Sequence, residues 1–162
     1  MIAAAAIIVL LPITASRKNS SSPVEYTVLE QGEDINLREA DPEILVFTEN
    51  GTFEPFYRLI HLTRIPQPEP PVVDFRKYSV AFLSYGEQKS TGFSIEIINV
   101  YERSSAVTVK TILNTPPENS FQAQKITHPY MMILIPKDSY RRVQLTDGTG
   151  KLIASANVPE RM

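Results

Sequence analysis

The stretch 78–101, which reads YSVAFLSY, then GEQKSTG, then FSIEIINVY, decides the fold. Tyr78–Tyr85 and Phe93–Tyr101 are apolar runs of strand length, and a polar segment bracketed by Gly86 and Gly92 separates them. In the second run Phe93, Ile95 and Ile97 keep a period of two, then the phase slips at Ile98 and Val100. That slip predicts a β-bulge, or a strand covered on both faces. The plainest reading of Gly86–Gly92 is a hairpin connection. A glycine directly before the aromatic start of a strand also predicts a positive φ at Gly92, or a bulge that re-aims Phe93. The sharper reading is an exposed binding loop on a rigid scaffold, where recognition residues tend to sit.

Working outward, the pattern downstream is all β: Ala106–Leu113, Tyr130–Ile135, Arg142–Leu145 and Leu152–Ala156 are strand candidates. Tyr130–Ile135 has no polar gap, which places it centrally and buries both its faces. Asp147–Gly150 (DGTG) is turn chemistry and predicts a terminal hairpin. Asn114–Lys125, with Pro116 and Pro117, reads as a long mobile loop. Upstream, Val24–Leu29 alternates like a half-buried strand, and Ile44–Thr48 is a short apolar strand closed by Asn50 and Gly51. Then comes one helix. Phe53, Phe56, Tyr57 and Ile60 share a face at i, i+3, i+4 and i+7, with Thr52 as the expected N-cap and an end near Thr63 ahead of Pro66. Ile65–Pro71 follows as an extended strap.

Strands every 10–15 residues or so with one early helix predict a mainly β chain (α+β): a small antiparallel sandwich or bent sheet capped by the helix. The expected core is Phe56, Tyr57, Ile60, Val80, Phe82, Phe93, Ile95, Ile97, Val107, Val109, Met132 and Leu134.

The 162 residues suit a single domain, and 43% of them are hydrophobic, an ordinary globular share. Sixteen basic and 18 acidic side chains leave a net charge of −2, which is not the footprint of a nucleic-acid binder. With no cysteine, disulfides, thiolate nucleophiles, cysteine-bound metals and a lipid-modified N-terminal cysteine are all excluded. No charged side chain lies in Met1–Ser16, whose apolar run is too short to span a bilayer and fits a secretory signal, although nothing basic precedes it. The competing reading is a buried N-terminal strand or helix. The organisation expected is therefore a signal-like segment at 1–16, a solvated linker at 17–23 and one β-rich domain at 24–162. The product is expected to be exported to a periplasm or cell surface, touching a membrane only through residues 1–16 if they are retained.

No catalytic set emerges. His61 and His128 are too few for a histidine metal centre and are expected to be structural or solvent-facing. There is no GxSxG elbow, SxxK pair, GxGxxG or phosphate loop. Glu25 with Glu30, and Glu33 with Asp34, read as charges on solvated edges. Neither enzymatic activity nor a cofactor is expected.

Several motifs taken together carry a resemblance. They are Val73-Asp74-Phe75 with Lys77; the loop Gly86-Glu87-Gln88 through Thr91-Gly92-Phe93-Ser94-Ile95-Glu96-Ile97; Thr127-His128-Pro129-Tyr130; and Ile135-Pro136-Lys137. With the strand and aromatic helix of Ile44–Leu62, this region, about Ile44 to Leu145, resembles the C-terminal domain of the PrcB family. Where that family carries Thr-Gly-Gly-Tyr, this chain has Ser90-Thr91-Gly92-Phe93. The family takes its name from a lipoprotein subunit of a bacterial surface protease complex that is not itself the peptidase. The resemblance thus implies a non-catalytic domain that binds or stabilises a protein partner, a protease being the first candidate. It also makes Glu87, Gln88, Lys89, Ser90, Thr91, Gly92 and Phe93 the expected partner-binding residues. In that one spot the chain is also similar to chagasin-like inhibitors of cysteine peptidases, which implies the alternative of an inhibitor acting through loop 86–93.

Overall fold

The computed structural model describes residues 20–37 and 39–159. The signal-like segment 1–16 and the first part of the linker lie outside them. The described residues form nine strands and one helix: β1 (Ser22–Pro23), β2 (Thr27–Gly32), β3 (Glu43–Phe47), α1 (Asn50–Ile60), β4 (Tyr78–Ser84), β5 (Ser94–Arg103), β6 (Ala106–Asn114), β7 (Tyr130–Pro136), β8 (Arg142–Thr146) and β9 (Leu152–Asn157). Two sheets result, in the orders β1-β5-β6-β8-β9 and β2-β7-β4-β3. Every pair is antiparallel except β6 with β8. The mainly β sandwich with a capping helix is therefore the observed architecture.

The four-stranded sheet is the middle of three layers, and this explains the unbroken apolar runs Val80–Leu83 and Tyr130–Ile135 in its two interior strands. Alternate residues of its strands serve two cores. Ile44, Val46, Ala81, Leu83, Met131, Ile133 and Ile135 face the five-stranded sheet and meet Ile95, Val100, Val107, Val109, Val143 and Leu145. Phe47, Val80, Phe82, Tyr130 and Met132 face the other way, onto Phe53, Tyr57 and Ile60 of α1. Each fully buried Phe, Leu or Ile here contributes roughly 1.5–3 kcal/mol. β7 is an interior strand, paired on both edges.

Of the twelve expected core residues, eight are buried, while Phe56, Phe93, Ile97 and Leu134 are half-buried. Phe56, Ile97 and Leu134 pack against the cores, whereas Phe93 joins neither. The phase slip in β5 is a register shift between Ile97 and Asn99, which leaves Ile98 turned out to solvent. α1 starts two residues before the expected N-cap. Glu49 is the N-cap with extended backbone and no side-chain cap, and Thr52 Oγ1 instead donates back to Glu49 O at 3.3 Å. His61, rather than a residue near Thr63, is the C-cap.

Two expectations need correction. Ser22 and Pro23, the end of the expected linker, pair with Glu102 and Tyr101 as β1, because strand pairing uses backbone groups and needs no apolar side chain, and an edge strand tolerates a proline that supplies only its carbonyl. And Gly86–Gly92 is no hairpin: β4 and β5 belong to different sheets, so the segment crosses from one sheet to the other.

Candidate functional site

The crossover 85–93 does not stand alone. β4 ends where Ser84 pairs with Tyr130, and β5 begins where Ser94 pairs with Asn114. Residues 115–129 therefore make the return trip from β6 to β7 beside the first crossover. The two segments are laced together across one end of the sandwich. Gln88 and Thr127 exchange backbone hydrogen bonds of 2.8 and 3.0 Å, and Thr127 Oγ1 donates to Ser90 O at 2.8 Å. The Thr91 amide donates to Ala123 O at 3.1 Å, and the Ala123 amide donates to Thr91 Oγ1 at 3.2 Å. The Glu87 amide donates to Ala40 O, and the Gly92 amide donates to Glu33 Oε2 at 2.9 Å.

Both bracketing glycines are required by geometry. Gly86 (φ +72°) lies so close to the Ala40 carbonyl that any Cβ would collide with it. Gly92 has the expected positive φ, +96°, and a Cβ there would sit 2.5 Å from Gln122 Oε1 and 3.0 Å from Pro116 Cβ. The second crossover thus packs against the first through the gap left by the missing side chain.

Of the seven expected partner-binding residues, Glu87, Lys89 and Gly92 are exposed, and Gln88, Ser90, Thr91 and Phe93 are half-buried. The outward chemistry of the first crossover is one acid and one base. The apolar side chains that reach solvent sit on the second crossover, at Phe121 (97% exposed) and Ile126 (59%). Sequence reading assigned that segment no role. Its signal was a phenylalanine in an otherwise polar stretch after two prolines.

The two histidines are drawn inward. His128 is buried; its amide donates to Glu33 O at 2.8 Å, and its Nε2 has no hydrogen-bond partner. His61 is wholly buried at the end of α1, edge-on to Tyr57 with ring centroids 4.5 Å apart. Its Nε2 lies 3.2 Å from Glu30 Oε1, but off the line of a formed hydrogen bond, and its Nδ1 has no partner.

Glu30 was expected on a solvated edge and is instead the centre of a polar cluster. Its Oε1 accepts from Tyr130 OH at 2.5 Å and from Arg64 Nη1 at 3.2 Å. Burial pushes the Glu30 carboxyl up, but hydrogen bonds from Tyr130 and Tyr57 and the charges of His61 and Arg64 outweigh it and hold the group below its ordinary value. Burial and the Glu30 contact push Tyr57 up to about 12, and Tyr130 higher still. For His61, burial prevails over the attraction of Glu30 and lowers the imidazole from its ordinary value. The cluster ties β2, β7 and the end of α1 together. Glu33 and Asp34, also expected on a solvated edge, act as tethers: Glu33 takes the Gly92 amide, and Asp34 pairs with Lys125 at 3.0 Å.

Among the described residues no group of three or more His, Asp or Glu side chains is placed to hold a metal ion. Among curated proteins and among solved structures, nothing matches this chain. A family model does: the one described as PrcB C-terminal matches residues 79–136. The matched stretch begins inside β4 and ends with β7, so both crossovers and the β5–β6 hairpin fall within it. Residues 79–136 of this chain are therefore a PrcB C-terminal domain.

Proposed function

We propose that the chain is an exported, non-catalytic interaction module of a bacterial envelope or cell surface, binding or stabilising a protein partner within a protease complex. One observation carries the reading. The family-matched segment spends its loop residues on two interlaced crossovers that close one end of a rigid sandwich and present exposed side chains there. Binding residues on loops held by a stable scaffold are the usual arrangement of recognition surfaces. The disposition of the histidines supports a non-catalytic role. His61 is sealed among Glu30, Arg64, Tyr57 and Tyr130, and His128 is buried. The apolar run at Met1–Ser16 supports export.

The inhibitor alternative draws less support. A wedge loop needs its central residues free to enter a cleft, but the Thr91 amide and hydroxyl are both engaged with the second crossover. Recovery of the tagged full chain from its native envelope, with mass spectrometry of what accompanies it, tests the proposal. The expected result is the same protein partner in repeated preparations; repeated recovery of the chain alone contradicts it.

A further inference from the structure

The apolar anchor of the crossover end is on the return segment. We propose that Phe121 is the contact ring with which the domain docks into an apolar pocket of a folded protein partner. This inference rests on the interaction reading above and specifies its surface chemistry.

Phe121 is 97% exposed, yet the segment carrying it is ordered by its own bonds. The Ser120 amide and Oγ both donate to Pro117 O, at 3.0 and 2.6 Å, and Gln122 Nε2 donates to Ser120 Oγ at 2.5 Å. Pro116 and Pro117 fix φ on the approach to this turn. Beyond it, Ala123 is fastened to Thr91, and Gly92 lets Pro116 and Gln122 close onto the first crossover. The ring is thus held out on a pre-ordered mount, which lowers the entropy lost on docking. Aromatic anchors on such mounts are the side chains that dominate binding energy when they fill a pocket.

The occupant follows from what surrounds the ring. Exposed charges on the two crossovers are of both signs, Glu87 and Glu118 against Lys89 and Lys125, and Lys125 is paired with Asp34. An anionic membrane or a nucleic acid calls for a cationic surface, and a bilayer calls for a larger apolar face than one ring and Ile126. A second copy fares no better. A groove of about 560 Å³, lined by Tyr26, Lys77, Tyr78, Leu134 and Pro136, could take a ring, but it lies at the opposite end of the four-stranded sheet. Seating Phe121 there joins two different surfaces of the copies, a contact that closes into a finite assembly only for particular rotations.

The test places the photo-crosslinking residue p-benzoylphenylalanine at position 121 or, as a control about 20 Å away along β5, at position 101 in the full chain. Both proteins are made in the source cells and irradiated. The expected result is one discrete protein adduct from position 121 and none from position 101. Excess wild-type chain should abolish it, and excess Phe121→Ala chain, melting at the wild-type temperature, should not. Adducts from position 101 in place of, or equal to, those from 121 overturn this inference while leaving the interaction reading standing. So do adducts from 121 to lipid or to a second copy. Adducts from neither position overturn both.

Discussion

Acidification is expected to destabilise the fold through His61. The ring is fully buried between Tyr57 and Tyr130, whose centroids lie 4.5 and 6.2 Å away. The charged groups facing it are Glu30, from β2, and Arg64, from the segment after α1. Burial disfavours the imidazolium, Glu30 favours it and Arg64 opposes it; burial prevails, so the folded-state pKa lies below the ordinary 6.5. Below about pH 6.5 the unfolded chain therefore binds a proton that the folded chain refuses. Stability is full above that pH and falls as pH falls, with a limiting slope of about 1.4 kcal/mol per pH unit. At pH 5 the loss reaches at most about 2 kcal/mol, or roughly 4–8 °C in melting temperature for a domain of this size. Glu30 acts lower on the scale: its depressed pKa contributes stability above the ordinary 4.5 that disappears as pH falls through the folded value. Melting followed by circular dichroism from pH 8 to 5, on the wild type and on His61→Leu, reads the His61 window and stays above that of Glu30. Relative to His61→Leu, the wild type should lose stability from about pH 6.5 downward, by at most about 2 kcal/mol at pH 5. A wild type that gains stability over this interval, relative to the variant, would show His61 charged and paired with Glu30 inside the fold, and would refute the reasoning.

Three further outcomes follow from the packing. Phe82→Ala removes a fully buried ring lying against Phe56 and Tyr130, and should cost about 3–5 kcal/mol in urea unfolding. Gly86→Ala combines a positive φ with a collision against the Ala40 carbonyl, so a loss of about 1–3 kcal/mol is expected; a melting temperature equal to wild type would contradict it. Gly92→Val should push Gln122 and Pro116 away and speed hydrogen exchange at the Thr91 and Ala123 amides, with little change in global unfolding. Unchanged exchange at those two amides would show that the crossovers are not held together as described.

The layered fold was readable where a strand's own residues carry the information. Val80–Leu83 of β4 and all of β7 are apolar because each face meets a different layer, and the phase slip at Ile98 reported its own bulge. The aromatic face of α1 was equally local. What escaped depends on partners distant in sequence. A glycine-bracketed loop looks the same whether it joins neighbouring strands or crosses between sheets, and only the pairing of β4 with β7 and of β5 with β6 decides it. Glu30, read with Glu25 as a charge on a solvated edge, is turned in with Leu29 toward α1 by a register shift between Val28 and Glu30, and Tyr130 and Arg64 meet it there. Residues 87–93 were legible as a connecting segment from the glycines beside them. Their companion crossover was not, because nothing in residues 115–129 announces that Ala123 and Thr127 will bind Thr91 and Gln88.

The central claim is that the end of the sandwich closed by the two crossovers is the surface a partner protein covers. Hydrogen exchange on the complex recovered from the native envelope, compared with the free chain, measures it directly. Slowed exchange confined to residues 86–93 and 115–127 is the predicted result. Slowed exchange confined to the opposite end, around β1 and the Ser104–Ser105 turn, would contradict it.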